Sequence, residues 1–257
     1  MQLTQKKSRR GDLLTAAAVA MLLAVMAALL YTGSLTRQVT NMLIPTAVYI
    51  VMAVSLNLVV GLLGELSLGH AGFMSVGLFS GCLVAIALTN TALPLMVRLP
   101  VSMLAGGLTA AVFGLLVGLP TLRLRGDYLA IVTLACGEII KNIITNLRVT
   151  GGALGLNTSA IYAGAKELLP YGAALVLLTV AVMLNLKRSK YGRAIMAIRD
   201  NRIAAESVGL SVTRYKLAVF VIAAFFAGCA GVLYGHSLAN IKAAAFDYNM
   251  SIEILVI

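Results

Sequence analysis

The chain has 257 residues, 60% apolar and only 11% charged, with 20 Lys and Arg against nine Asp and Glu for a formal charge of +11. Its mean hydropathy is +0.97, whereas soluble domains carry about 25% charged and about 45–50% apolar residues. An ordinary soluble domain is excluded. The basic residues sit between apolar runs with little aromatic interleaving, which argues for membrane topology and against a nucleic-acid partner.

The first apolar run, 13–31, follows Lys6, Lys7, Arg9 and Arg10. A basic segment ahead of an apolar stretch also describes a secretory signal. This run lacks a small-x-small cleavage site before polar sequence, so it reads as an uncleaved anchor. Further runs cover 42–63, 66–88, 101–119, 128–147, 168–186 and 217–238. Each can cross a hydrocarbon layer of about 30 Å as a helix. Their apolarity is continuous and not alternating, which favours helices over barrel strands. Residues 250–257 open another apolar stretch and stop short of a span. The expected architecture is an all-α, polytopic transmembrane helical bundle with C-terminal spans missing.

Charge orients this bundle. With residues 1–12 as a basic cytoplasmic segment, fourteen basic residues lie inside: the four above, Arg123, Arg125 and the eight of 187–216. Arg37, Arg98, Arg148, Lys166 and Lys242 lie outside, and Lys141 falls within a span. Lys and Arg favour the cytoplasmic side, so the N-terminus is expected inside. Residues 13–257 are then one membrane domain, with 187–216 as a cytoplasmic loop. No repeat or linker marks a second domain. Cys82, Cys136 and Cys229 lie singly inside apolar runs and read as packing residues. Gly77/Gly81, Gly114/Gly118 and Gly231/Gly235 are GxxxG pairs, which let helix backbones approach closely.

The sequence has no GxxxxGK[ST] phosphate loop, HExxH, CxxC or nucleophile elbow, and His70 and His236 are far apart. Catalysis, ATP binding and a cofactor or metal in this chain are therefore not expected. Intramembrane ionisable residues point instead to a pathway, a pairing or a gate. They are Glu65 with His70, Glu138 with Lys141, and Glu253. Glu138 and Lys141 are three apart on one helix face and suit a simple pair.

Two segments stand out. Residues 61–72 interrupt the apolar sequence with glycines and with Glu65, Ser67 and His70. One reading is a broken helix lining a translocation path, since irregular backbone is tolerated at membrane depth only where protein or a cavity covers it. The other is a tight turn with its polar groups among the headgroups. Spacing does not separate them. The path candidates are Gly64, Glu65, Ser67, Gly69, His70 and Glu138. The second segment is the loop 187–216. Within 192–209, Arg199, Arg202 and Glu206 share a helical stripe opposite Ala194, Ala197, Ala204, Ala205 and Val208, blurred by Ile195 and Ile203. A short amphipathic helix ending at Gly209 is expected. It could lie on membrane lipid or dock on a soluble partner, and its small alanines favour the partner.

Ala204-Ala205-Glu206-Ser207-Val208-Gly209 resembles the cytoplasmic signature of ABC importer permeases. Three longer blocks resemble the branched-chain amino acid permeases of the LivM type. They are SLNLVVG at 55–61 running into GELSLGHAGF at 64–73; PTLRLRGDYLAIVTL at 120–134, with Glu138, Thr150-Gly151-Gly152 and Gly155; and YGRAIMAIRDN at 191–201, continuing through Ala218 to Gly231. The resemblance implies one permease of an ATP-driven importer in a bacterial inner membrane, carrying leucine, isoleucine and valine. It implies a sister permease, two ATP-binding cassette ATPases that hold ATP and Mg, and a solute-binding protein. It places the coupling helix at about 193–209, with Glu206 and Gly209 as signature positions and Arg193, Arg199, Arg202, Ala204 and Ala205 beside them. Members of the family continue past residues 251–254 through further spans. Urea, short amides or other amino acids are alternative solutes, and an ATP-independent transporter or channel is a more distant alternative.

Overall fold

The computed structural model describes residues 2–33, 35–89, 94–121, 124 and 126–257, with side chains from residue 17 onward. Among them run ten α-helices: α1 (Gln2–Thr32), α2 (Arg37–Asn57), α3 (His70–Thr89), α4 (Leu95–Thr121), α5 (Asp127–Asn146), α6 (Ala165–Arg188), α7 (Lys190–Asp200), α8 (Arg202–Ser207), α9 (Val212–His236) and α10 (Tyr248–Val256). Six helical stretches are long and apolar enough to cross a membrane: Arg37–Leu63, His70–Thr89, Leu95–Thr121, Asp127–Asn146, Ala165–Arg188 and Val212–His236. The run at 13–31 lies within α1, whose described side chains include the apolar stretch Ala17–Thr32. The chain is an all-α, multi-pass membrane bundle. Of the residues that oriented it by charge, Arg123 and Arg125 lie outside the described residues, and Lys6, Lys7, Arg9 and Arg10 outside the described side chains.

The middle of the bundle is built on small residues. In α3 and α9, 67% of the most apolar window is buried, against 28% in α5 and 33% in α6. A Cβ on Gly77 of α3 would strike the backbone of Gly228 in α9, and one on Gly235 would strike the Cys82 sulfur. These contacts run in the same order along both helices, so α3 and α9 are parallel. α4 runs against both, with Gly106 on the Gly77 carbonyl and Gly114 on Ala224. Lipid tails are as apolar as Leu, so association inside a membrane depends on close van der Waals approach, which glycine permits. Two of the three GxxxG pairs thus serve the packing the sequence assigns them, Gly77/Gly81 and Gly231/Gly235. In the third, Gly114 does so, and Gly118 is buried in α4. Phe73 and Phe220 meet edge to face at 5.3 Å beside this core.

The ends of the bundle differ. Before α9, the short helices α7 and α8 form one end. Beyond α9, strand β1 (Leu156–Asn157) pairs antiparallel with β2 (Asn240–Ile241). The pairing is reinforced by Thr158 N–H on Ala239 O at 2.9 Å and Ala163 N–H on His236 O at 3.0 Å. No feature of the sequence pattern announces this ladder. After it the chain turns back into the bundle as α10, packed on α2, α3 and α5. The apolar stretch at 250–257 is therefore most of this helix.

Two expected elements are corrected. The third span starts at His70 and not at residue 66, because 64–69 has no regular secondary structure. The single amphipathic helix over 192–209 is two helices, broken at Asn201, whose φ and ψ of −154° and 101° are extended. The Asn201 side chain accepts from Ala204 N–H at 3.0 Å and so starts α8 afresh.

Candidate functional site

The site is where α2 ends and α3 begins. After Asn57 the helix widens into a π-helical turn, Leu58–Leu63. Gly64 then takes a left-handed conformation, φ +77°, and donates its N–H to Val59 O, which also accepts Glu65 N–H at 3.2 Å. A residue with a side chain would be strained there. Helix ends leave carbonyls without intrahelical donors. One of them, Gly61 O, accepts from Arg199 Nη1 of α7 at 3.0 Å. The Arg199 stem lies against Gly64, where a Cβ would come within 2.5 Å of Arg199 Cγ.

From Gly64 to Gly69 the chain has no regular secondary structure. Glu65 forms an ion pair with Lys216 of α9, with the two side chains only 13% and 6% exposed. Glu65 Oε2 and Ser67 Oγ are buried without a hydrogen-bond partner among the described residues. Leu68 N–H donates to Thr133 Oγ1 of α5 at 3.0 Å, and Gly69 packs on the Thr133 carbonyl. His70, buried, then opens α3. Its Nε2 and the Ser55 hydroxyl share a hydrogen bond of 2.8 Å, and that hydroxyl also lies 2.9 Å from Met52 O. The connection between α2 and α3 is thus six residues, 64–69, outside regular secondary structure, with Glu65 tied to α9 and Leu68 to α5. Glu65 and His70 each have a different partner, Lys216 and Ser55.

Glu138 lies one layer beyond. It pairs with Lys141 as expected, and its Oε1 also accepts Tyr248 N–H, the first of α10, at 3.1 Å. Asp247 caps the same helix, accepting Met250 N–H at 3.2 Å. Slight burial works against the Asp247 charge, but the Met250 N–H, the Asn249 amide and the Lys141 ammonium outweigh it and hold this carboxyl below its ordinary range. Ser251 Oγ of α10 accepts Ala71 N–H at 3.2 Å. The start of α3 and the start of α10 are thus tied to each other and to Glu138.

At the α7–α8 end, Ser189 caps α7 by accepting Gly192 N–H at 3.0 Å. Ile198 and Ala205 turn inward onto Val212, and Ile195 joins the main core. Outward face Ala204, Glu206, Ile203 and Val208, the last two 80% and 75% exposed. The expected stripe is therefore redistributed: Ala205 is inside, Ala197, Ala204 and Val208 are outside, and Arg199 sits on a different helix from Arg202 and Glu206. Arg202 Nε pairs with Glu206 at 2.8 Å, and Arg193 Nη1 donates to Arg188 O at 3.2 Å. Gly209, φ +85°, follows the last turn of α8. Arg199 also reaches Asp200 at 3.0 Å. Sequence reasoning counted Lys216 only as a topological charge. Its place at the start of a strongly apolar run was the available sign that it is buried and paired. Among the described residues no three His, Cys, Asp or Glu side chains could hold a metal ion.

The family model described as "Branched-chain amino acid transport system / permease component" matches residues 38–257. The chain is 36% identical over 251 residues to the high-affinity branched-chain amino acid transport system permease protein LivM of Salmonella typhimurium. It is 36% identical over 245 residues to the protein of that name from Escherichia coli K12. Each alignment covers 82% of this chain and 56% of the relative, so the chain spans little more than half the length of these relatives. The autoinducer 2 import system permease protein LsrC of Enterobacter sp. (strain 638) is 31% identical over 152 residues, 54% of this chain and 41% of its own. No solved structure gives a significant match. With the match running from the start of α2 through α10, the chain belongs to the branched-chain amino acid transport permease family.

Proposed function

We propose that this chain forms a permease subunit of an ATP-driven importer for leucine, isoleucine and valine in a bacterial inner membrane, with its N-terminus and the α7–α8 end in the cytoplasm. A sister permease, two ATP-binding cassette ATPases carrying ATP and Mg, and a solute-binding protein complete the assembly. The observation that carries this reading is the family match over 38–257 together with the outward face of α8. Ile203, Ala204 and Val208 offer a small apolar surface beside the Arg202–Glu206 pair, and helices of that kind dock into grooves of partner proteins. Eight Lys and Arg between 187 and 216 suit the cytoplasmic side. ATP binding closes the ATPases, and the docked helices carry that closure to the spans, which open alternately to the two sides. The segment 64–70 and Glu138 shape the path.

The test is uptake by the complete assembly in proteoliposomes. Labelled leucine should accumulate only when ATP and binding protein are both supplied, and isoleucine and valine should compete while urea and short amides do not. Competition by urea or an amide alone would change the solute. Accumulation without ATP would overturn the mechanism.

A further inference from the structure

We propose that the connection between α2 and α3 is held by a two-point latch, Arg199 of α7 on the Gly61 carbonyl and Lys216 of α9 on Glu65. Through it, displacement of α7 is delivered to His70 and the start of α3. Arg199 and Lys216 are positioning residues in this account, and its transport arm rests on the function proposed above.

Coupling between distant sites needs an element with two arrangements that both sites bias. In this account the π-helical turn Leu58–Leu63 fills that role. π turns in α-helices are short and occur often at functional sites. Here a group outside the helix, the Arg199 guanidinium, takes up the Gly61 carbonyl at 3.0 Å. Withdrawing Arg199 frees that carbonyl and lets the turn tighten toward α geometry. At 3.6 residues per turn, a one-residue change of register rotates the downstream chain by about 100°. Gly64 lets the Arg199 stem rest directly on the backbone at this point, so a shift of α7 meets the chain and not a flexible side chain.

The second point prevents the movement from dissipating. Glu65 is tied to Lys216 inside α9, one of the two most buried spans. Between Glu65 and His70 only four residues intervene, none in regular secondary structure, so the connection is short. Leu68 is held by Thr133, and His70 and Ala71 are held by Ser55 and Ser251. A rotation at Gly64 must therefore reach either the Glu65–Lys216 pair or the His70 end. Glu65 Oε2 and Ser67 Oγ, without a partner among the described residues, lie along this stretch, which gives the segment polar groups to re-pair in a second arrangement.

The experiment uses the complete assembly in lipid nanodiscs and in proteoliposomes. Hydrogen exchange is followed at amides 64–72, with those of α5 as the internal reference. Arg199→Ala should speed exchange at 64–72 by about tenfold and leave α5 unchanged, with Arg199→Lys between Ala and the unaltered protein. In proteoliposomes the same Ala variant should hydrolyse about fivefold more ATP per solute imported. Glu65→Lys and Lys216→Glu should each show the same defects, and the reversed pair carrying both should recover to within about twofold. Exchange at 64–72 unchanged by Arg199→Ala, or a reversed pair no better than its single variants, would overturn the latch. Import by the unaltered assembly without ATP would sink the proposed function instead, and the exchange comparison decides the latch in either case.

Discussion

The α3–α4–α9 core and the connection at 61–71 are held by opposite means. In the core, glycines bring backbones together and close packing does the holding. At the connection, the chain from 61 to 71 is fixed by Arg199, Lys216, Thr133, Ser55 and Ser251, one polar contact each. Close packing resists every displacement alike, because interiors have little compressible space. A set of discrete polar contacts can be released singly and re-formed elsewhere. The core therefore suits a fixed frame, and the connection suits a moving part.

Four substitutions probe that contrast, one of them a rescue of the first, taken from the largest expected effect on stability to the smallest. Lys216→Met leaves the Glu65 carboxylate buried without its partner, which should cost about 3–5 kcal/mol. Adding Glu65→Leu should restore most of that loss, because replacing both partners of a buried pair with apolar groups is often neutral or stabilising. Equilibrium unfolding in mixed micelles measures both, and a double variant as unstable as the single one would show that the pair is not an isolated contact. Gly77→Val in the core forces a side chain onto the Gly228 backbone and should cost about 1–3 kcal/mol, read in the same assay. Core stability unchanged by this variant would contradict the tight α3–α9 approach. Asp247→Ala removes the cap of α10 and should cost about 1 kcal/mol, confined to that helix and visible as faster exchange at its first amides.

Much of the frame was legible in the sequence. Continuous apolar runs marked the spans, GxxxG spacing marked the close helices, and Glu138 and Lys141 are paired as their i,i+3 spacing suggests. Local signals were harder to weigh where two physical effects competed. Leu66 and Leu68 extend the apolar run toward Gly64, but the left-handed Gly64 and the anchored Glu65 forbid a helix there. Asn201 is a good N-cap, and that signal was outweighed by the apolar periodicity on either side of it. What the sequence hid is long-range. Glu65 and Lys216 are 151 residues apart, and β1 and β2 are joined only through α6 to α9. No periodicity within one segment encodes such partners.

The central claim is that this permease is driven from its α7–α8 end by a separate ATPase, and a cysteine at Ile203 tests it most directly. Ile203 is 80% exposed on α8, and its neighbours form the proposed docking face. In the complete assembly, bound either to ATP or to a non-hydrolysable analogue, Ile203→Cys should cross-link to the nucleotide-hydrolysing subunit, with a yield that changes between the two states. Cross-linking only to lipid or to the sister permease, in an assembly that still accumulates leucine, would contradict the account.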